Sequence, residues 1–373
     1  MAKLAEKKSS NKFTKRFYLL NTCVSILLFL AIFISIDQFG GEAWHGVPRI
    51  GLVLPGSKDD VGWNKTQYVA MKNTCDELGY ELVVRENIPS DSDSCEKVLQ
   101  DFSKRGIYDI YFSNGFKRSD MNRIADQYSN LTLCTIESIS ALWSSGKYTI
   151  LSFEGSYLAG IMAGLHTKTN KVGYIAPFPD SEINQNINAF TLGVQRVNPD
   201  AEVLLNWTGA WHDPSKEYQA LHNLKALKVD VLTYQQNSDV IPNAAMSSGM
   251  YFISYNESYP QNNYYLGAVK INWMQVYRDL IRYQYSRNNG EIYFTLGLAG
   301  EIVKFDVADK ISTREKVMID SIKWELKHGK LIFSGDIFTR DGIKKCSANE
   351  AISLISLSEN MNWLIRGVRI VGN

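Results

Sequence analysis

The sequence is poor in the residues that build disulfide frameworks, metal centres and nucleic-acid interfaces. It has five cysteines and five histidines in 373 residues, and neither type is clustered. It contains no C-x-x-C, H-E-x-x-H or G-x-S-x-G pattern, which removes the usual signatures of redox, zinc and serine-hydrolase sites. A formal net charge of +1 is also unlike the basic excess of a nucleic-acid binder. We therefore expect no catalytic residue, no metal, no cofactor and no nucleic-acid partner.

Apolar residues, by contrast, are abundant enough to build a large core. The chain is 45% hydrophobic, 21% charged and 12% aromatic, which is the composition of a globular protein. At about 100–200 residues per domain, this length predicts two domains.

The N-terminus differs from the rest of the chain in charge and hydropathy. Residues 1–16 hold six basic residues and one acidic residue, and residues 17–36 hold no charge. About 20 apolar residues cross a bilayer, and a preceding basic cluster stays in the cytoplasm. We predict a cytoplasmic tail over 1–16 and a transmembrane anchor over 17–36 in the plasma (inner) membrane, with an extracytoplasmic body. The alternative is a signal segment cleaved after Ala43, which releases the body into the periplasm.

Strands and helices alternate along the exported part, in two similar runs. The first run has strands at 49–54, 81–85, 108–112 and 131–136, with helices at 65–78, 93–105 and 121–128. The second has strands at 171–176, 201–207, 229–233 and 251–255, with helices between them. Such alternation is typical of α/β folds with doubly wound parallel sheets. We predict lobe 1 over 49–150 and 270–300, lobe 2 over 151–269, and a C-terminal segment, 301–373, that completes both.

Two smaller features leave alternatives open. Export permits disulfides among the four cysteines outside the anchor, with buried free thiols as the other possibility: Cys75, Cys95, Cys134 and Cys346. Gly160 and Gly164 have the GxxxG spacing of membrane helix pairs, but nearby Glu154 favours close packing of a soluble helix.

The loops that follow the predicted strands are rich in aromatic, amide and carboxylate side chains. Ligands of doubly wound sheets bind beyond the carboxyl ends of the strands, where such loops meet. Flat rings among hydrogen-bonding groups suit a planar ligand, although Asp and Asn in loops also cap helices and make turns. The candidate ligand-binding residues are Asp60, Trp63, Asn64, Ser113, Asn114, Phe116, Phe178, Trp211, Asp213, Asn237 and Asn256.

Several longer motifs resemble the BMP (basic membrane protein, Med-type) family of substrate-binding proteins. The similarity runs in order from about residue 49 to 370. The segments that carry it are 60–64 (DVGWN), 153–164 (FEGSYLAGIMAG), 187–199 (INAFTLGVQRVNP), 207–214 (WTGAWHDP) and 361–368 (MNWLIRGV).

This resemblance implies a type I periplasmic-binding-protein fold, with two lobes joined by a hinge. It implies capture of a purine nucleobase or nucleoside outside the membrane and delivery to the permease and ATPase of an ABC importer. Asp60, Trp63 and Asn64 would then line the cleft from lobe 1, and Trp211 and Asp213 from lobe 2. Lys270 matches a ligand-contacting lysine of nucleoside binders in the family. We expect a monomer that binds a small molecule and is not an enzyme.

The sequence also departs from the family pattern. Asn256 and Asn237 stand where nucleoside binders carry acids, Gln67 replaces a common histidine, and no lipid-attachment cysteine precedes the body. An Asn donates as well as accepts hydrogen bonds, so the exact base stays open. The second hypothesis is a membrane-anchored sensor or accessory ectodomain, and the third is a nucleoside-acting enzyme.

Overall fold

The computed structural model describes residues 47–60, 62–113, 116, 131–136, 140–143, 146–285 and 292–372. Within these ranges no helix combines the length and apolarity needed to cross a bilayer. The predicted anchor, the predicted helix at 121–128 and Asn114 lie outside the described residues.

The described part of the chain forms helices and strands that alternate along most of its length. The helices are α1 (Trp63–Leu78), α2 (Ser92–Lys104), α3 (Ser152–His166), α4 (Ser181–Val197), α5 (Pro214–Ala226), α6 (Val240–Ser248), α7 (Trp273–Tyr285), α8 (Thr313–Lys327) and α9 (Leu354–Asn360). The strands are β1 (Arg49–Val53), β2 (Glu81–Arg85), β3 (Asp109–Phe112), β4 (Thr132–Ile136), β5 (Ser140–Trp143), β6 (Gly146–Ile150), β7 (Lys171–Ala176), β8 (Glu202–Trp207), β9 (Val231–Tyr234), β10 (Tyr251–Tyr255), β11 (Tyr265–Ile271), β12 (Ile292–Leu296), β13 (Val303–Val307), β14 (Ile337–Phe338), β15 (Lys344–Cys346) and β16 (Val368–Ile370).

The first sheet has seven strands in the order β12-β6-β5-β4-β3-β1-β2, and only β5 runs antiparallel to its neighbours. Successive strand residues point to opposite faces, so each face has its own core. Ile50 and Leu52 pack with α1 and α7, whereas Val53 and Phe112 pack with α2. Helices therefore cover both faces, as in a doubly wound sheet.

The second sheet also has seven strands, in the order β13-β11-β10-β9-β7-β8-β16. Its pairs are parallel except for β11 with β13. Helix α3 packs against β10, β11 and β13, and α5 packs against β7 and β8. The α/β class with mainly parallel sheets is thus confirmed.

The chain passes between the sheets three times, and hydrogen bonds join the three crossovers. Leu151 N donates to Leu296 O at 2.9 Å, and Asn272 N donates to Ile302 O at 2.8 Å. The Glu154 carboxylate accepts a hydrogen bond from Leu298 N at 2.7 Å, and burial raises the pKa of this carboxyl. The crossovers therefore form one connected band instead of three separate linkers.

Glycines allow α3 and α4 to approach until their backbones touch. A Cβ on Gly160 would lie 1.9 Å from Phe190 O, and one on Gly193 would lie 2.1 Å from Tyr157 O. A Cβ on Gly164 would meet Val197 Cγ2 at 2.7 Å. The GxxxG spacing thus serves close packing within the globular body, as the sequence analysis favoured.

All four described cysteines are buried, and none of them forms a disulfide with another: Cys75, Cys95, Cys134 and Cys346. Burial raises the pKa of Cys75 to about 12 and also raises that of Cys134. Cys75 and Cys134 therefore stay protonated at neutral pH, and all four side chains fill core positions.

Candidate functional site

A small cavity lies where the strand ends of the two sheets face each other. It encloses about 60 Å³. One wall comes from the start of α1, and the other comes from the loops after β9 and β10. The lining residues are Gly62, Trp63, Thr66, Tyr234, Gln236, Asn237, Ser238, Asp239, Tyr255, Asn256, Glu257 and Tyr259. Three residues predicted from sequence, Trp63, Asn237 and Asn256, are among them.

The first wall is built by an aspartate that organises the beginning of α1. Asp60 Oδ1 accepts hydrogen bonds from Gly62 N at 3.0 Å and Lys65 N at 2.9 Å. Its Oδ2 accepts one from the Asn64 side chain at 2.8 Å. Free N–H groups at a helix start are stabilised by such carboxylates. Asp60 and Asn64 therefore hold the helix start that presents Trp63.

Trp63 is fixed by two contacts within the first wall. Its Nε1 donates to Ser113 Oγ at 2.6 Å. The edge of its ring packs against Trp273, with ring centroids 5.2 Å apart. Ser113 thus orients the Trp63 ring, which lines the cavity. Trp273 was not predicted, because it lies about 210 residues further along the chain.

The second wall turns sharply after β10. Asn256 has a left-handed backbone, with φ of 67°, and its N–H donates to Val269 O at 2.7 Å. Asn tolerates this conformation better than most residues. The turn places Tyr255, Asn256 and Glu257 together on the cavity.

Three tyrosines line the second wall, and all three keep their protons at neutral pH. Burial raises the pKa of Tyr234, Tyr255 and Tyr259. The Tyr234 and Tyr259 hydroxyls are hydrogen-bonded to each other. A neutral phenol offers both a ring face and a hydroxyl that donates or accepts.

The charged side chains that line the cavity are acidic. Asp239 and Glu257 line it, and no Lys, Arg or His is among the described residues that do so. A ligand held here meets carboxylates without a compensating cation. Among the described residues no cluster of His, Cys, Asp or Glu has the arrangement of a metal site.

The two walls approach each other closely at Gly62 and Asn237. A Cβ on Gly62 would lie 3.2 Å from the Asn237 Cβ, closer than most Cβ contacts. The Asn237 backbone is held in turn, because its N–H donates to Trp211 O at 2.8 Å. Gly62 thus allows the first wall to close on the second.

The remaining candidate residues have other described partners. Phe116 packs edge-on against Phe112 in the core, and Phe178 packs against Trp211 with both rings more than a third exposed. Asp213 caps α5 by accepting a hydrogen bond from Lys216 N at 3.1 Å, which lowers the pKa of Asp213. Lys270 Nζ lies 2.9 Å from Asp306 Oδ2 on neighbouring strand β13. Their contacts with a ligand stay predictions.

Sequence reasoning found three of the twelve lining residues and missed the other nine. The residues that were not among the candidates are Gly62, Thr66, Tyr234, Gln236, Ser238, Asp239, Tyr255, Glu257 and Tyr259. All lie within three residues of a predicted one, so the available signal was the loop as a whole. Which side chain faces the cavity depends on the backbone turns described above.

A family model described as ABC transporter substrate-binding protein, PnrA-like, matches residues 47–335. A purine-binding protein of Brucella abortus is 25% identical over 328 residues, covering 86% of this chain and 92% of its own length. A putative ABC transporter glucose-binding protein of Haloferax volcanii, TsgA13, is 29% identical over 241 residues. That alignment covers 63% of this chain and 58% of the Haloferax protein.

A solved structure has the same fold. An ABC transporter system solute-binding protein from Conexibacter woesei superposes with a TM-score of 0.61 at 17% identity. The match covers 76% of this chain and 98% of that one.

Proposed function

Because the chain belongs to the family of PnrA-like ABC transporter substrate-binding proteins, we propose that it captures a purine nucleoside or nucleobase and delivers it to an ABC importer. The family consists of binding proteins and not of enzymes. The observation that carries the ligand class is the cavity, which combines the Trp63 ring, three protonated tyrosines and amide groups. Such a lining stacks on a heterocycle and hydrogen-bonds its edge. The purine-binding relative from Brucella, aligned over most of both chains, supports the same class.

The mechanism is capture by closure of two lobes, each built on one sheet. A cavity of about 60 Å³ is far smaller than the about 300–1,000 Å³ of typical ligand pockets. The contact between Gly62 and Asn237 therefore has to open before a nucleoside can enter. The band of three crossovers is the hinge, and a ligand that contacts both walls favours the closed form.

The site selects against phosphorylated ligands. A nucleotide would bring two negative charges towards Asp239 and Glu257, with no basic lining residue described to balance them. Both carboxylates are exposed to solvent, which screens part of the repulsion but leaves the site unfavourable for a dianion. We propose that the uncharged nucleoside or base, and not the nucleotide, is the transported form.

The remaining assignments follow from the family and the N-terminal sequence. The body works as an extracytoplasmic monomer, and residues 17–36 hold it at the plasma membrane beside the permease.

The test is a thermal-shift screen of the full chain in detergent, with adenosine, guanosine, inosine, their bases, AMP and glucose. A ligand at 100 times its Kd stabilises the folded state by about 2.7 kcal/mol. We expect stabilisation by at least one nucleoside or base, and AMP binding at least about tenfold weaker than adenosine binding. In the double variant Asp239→Asn/Glu257→Gln, the difference between the affinities for AMP and for adenosine should become smaller. Stabilisation by glucose alone would overturn the purine assignment.

A further inference from the structure

We infer that Gln236 is a specificity-determining residue whose side-chain oxygen accepts a hydrogen bond from an N–H or O–H group of the bound ligand. This inference rests on the proposed function and adds to it the direction of one hydrogen bond, in which the protein accepts and the ligand donates. The observations are the position of Gln236 in the cavity lining and the state of each polar atom of its amide.

The amide can be oriented in only one way. The Gln236 Nε2 atom lies 2.7 Å from Ala210 O and 2.7 Å from Thr208 Oγ1. A carbonyl oxygen only accepts, so the amide group facing Ala210 must be the NH₂ group. Thr208 fits this arrangement, because its hydroxyl donates to Ala210 O at 2.8 Å and can accept from Nε2. Both N–H groups of Nε2 therefore donate hydrogen bonds within the protein.

The oxygen of the same amide has no partner. Gln236 Oε1 is buried without a hydrogen bond, in a side chain that is 5% exposed and lines the cavity. A buried carbonyl oxygen without a hydrogen bond destabilises the folded state, so such groups are usually satisfied. The locked amide thus presents a fixed acceptor where a ligand donor can complete it.

A fixed acceptor selects ligands by their donors. A site that holds an acceptor in place rejects an analogue that lacks the matching donor far more strongly than an apolar wall does. On a nucleoside the donor is an exocyclic amino group, the ring N1–H of inosine or guanosine, or a ribose hydroxyl. The chemistry at Gln236 is the same for all three, and the experiment separates them.

The test is a double-mutant cycle between Gln236 and the ligand, measured by calorimetric titration of the full chain. In the variant Gln236→Met the new side chain has a shape similar to that of Gln and lacks the amide. Ala210 O still accepts a hydrogen bond from the Thr208 hydroxyl in this variant. One arm deletes amino groups, with purine riboside against adenosine and inosine against guanosine. A second arm blocks the ring N–H, with 1-methylinosine against inosine, and a third arm deletes hydroxyls, with 2′-, 3′- and 5′-deoxyadenosine against adenosine.

We expect Gln236→Met to weaken binding of the parent nucleoside about 5- to 100-fold. Binding of the analogue that lacks the relevant donor should weaken less than about threefold. The arm that shows this coupling identifies the donor. The matched control is Gln185→Met, because Gln185 is equally buried at 5%, its Nε2 also donates to two carbonyls, and it does not line the cavity. Its ligand preferences should equal those of the unmodified protein.

The unmodified protein gives a second readout that does not depend on folding of a variant. It should bind at least one donor-deleted analogue about tenfold more weakly than the parent. Nucleoside binding without such discrimination, or with coupling below threefold in every arm, overturns the role of Gln236 and leaves the proposed function intact. If no nucleoside or base binds at all, the proposed function fails first, and this inference fails with it.

Discussion

Replacing Gly160 with alanine should destabilise the protein by about 3 kcal/mol. The added methyl group would lie 1.9 Å from Phe190 O, a backbone atom of α4 that cannot rotate away. Alanine gains about 1 kcal/mol of helix propensity over glycine, but forced separation of two packed helices costs more than that. At about 2–4 °C per kcal/mol, the unfolding midpoint should fall by roughly 6–12 °C.

Two other glycines of α3 provide a graded comparison. The atoms closest to a Cβ on Gly155 would be side-chain methyl groups, of Val269 at 2.7 Å and Val303 at 2.9 Å, which can shift, and the backbone oxygen of Lys304 lies at an ordinary contact distance of 3.7 Å. We therefore expect Gly155→Ala to cost about 1 kcal/mol or less, with Gly164→Ala between the two. Thermal unfolding followed by circular dichroism measures the series. Equal midpoints for Gly155→Ala and Gly160→Ala would show that the helices do not meet through their backbones.

Replacing Trp63 with alanine should weaken nucleoside binding about 10- to 100-fold. Stacking of a base on an aromatic side chain contributes about 1–3 kcal/mol. Trp63 is the lining residue of the first wall with a flat ring, and Ser113 and Trp273 hold that ring in one orientation. Calorimetric titration with the nucleoside found in the screen measures the loss.

Two controls separate stacking from general damage. Trp63→Phe keeps a ring and loses only the N–H donated to Ser113, so we expect affinity within about fivefold of the unmodified protein. Trp324→Ala makes the same substitution at a residue that is 61% exposed on α8 and does not line the cavity. Its affinity should be unchanged. If Trp63→Ala bound as tightly as Trp324→Ala, the ring would have no part in ligand capture.

Local patterns predicted most of the individual elements but not the pairings that join them. Apolar runs such as 49–54 and 251–255 gave strands β1 and β10 almost to the residue. The hairpin of β5 and β6 and the edge strand β13 were missed, because short mixed-polarity segments become strands only when a sheet edge is available. Strand β16 pairs with β8 across more than 160 residues, a distance that no local pattern encodes.

The family resemblance drawn from the motifs is confirmed by the family model over residues 47–335. The site was predictable at the level of loops. The loops after β9 and β10 carry the cavity, as sheet topology requires. The orientation of the individual side chains in these loops was not predictable, because it depends on features such as the left-handed turn at Asn256 and the hydrogen-bonded amide of Gln236.

The contact of Gly62 with Asn237 allows the most direct test that the ligand is captured between the two walls. Cysteines at both positions would bring their Cβ atoms near the about 3.5–4.5 Å of a disulfide, and the four described native cysteines are buried. The measurement is titration of the Gly62→Cys/Asn237→Cys protein with a purine nucleoside added after oxidation, and again after reduction. We predict binding by the reduced protein and none by the oxidised protein, because the locked cavity of about 60 Å³ cannot admit the ligand. Equal affinity in both states would contradict capture in this cleft.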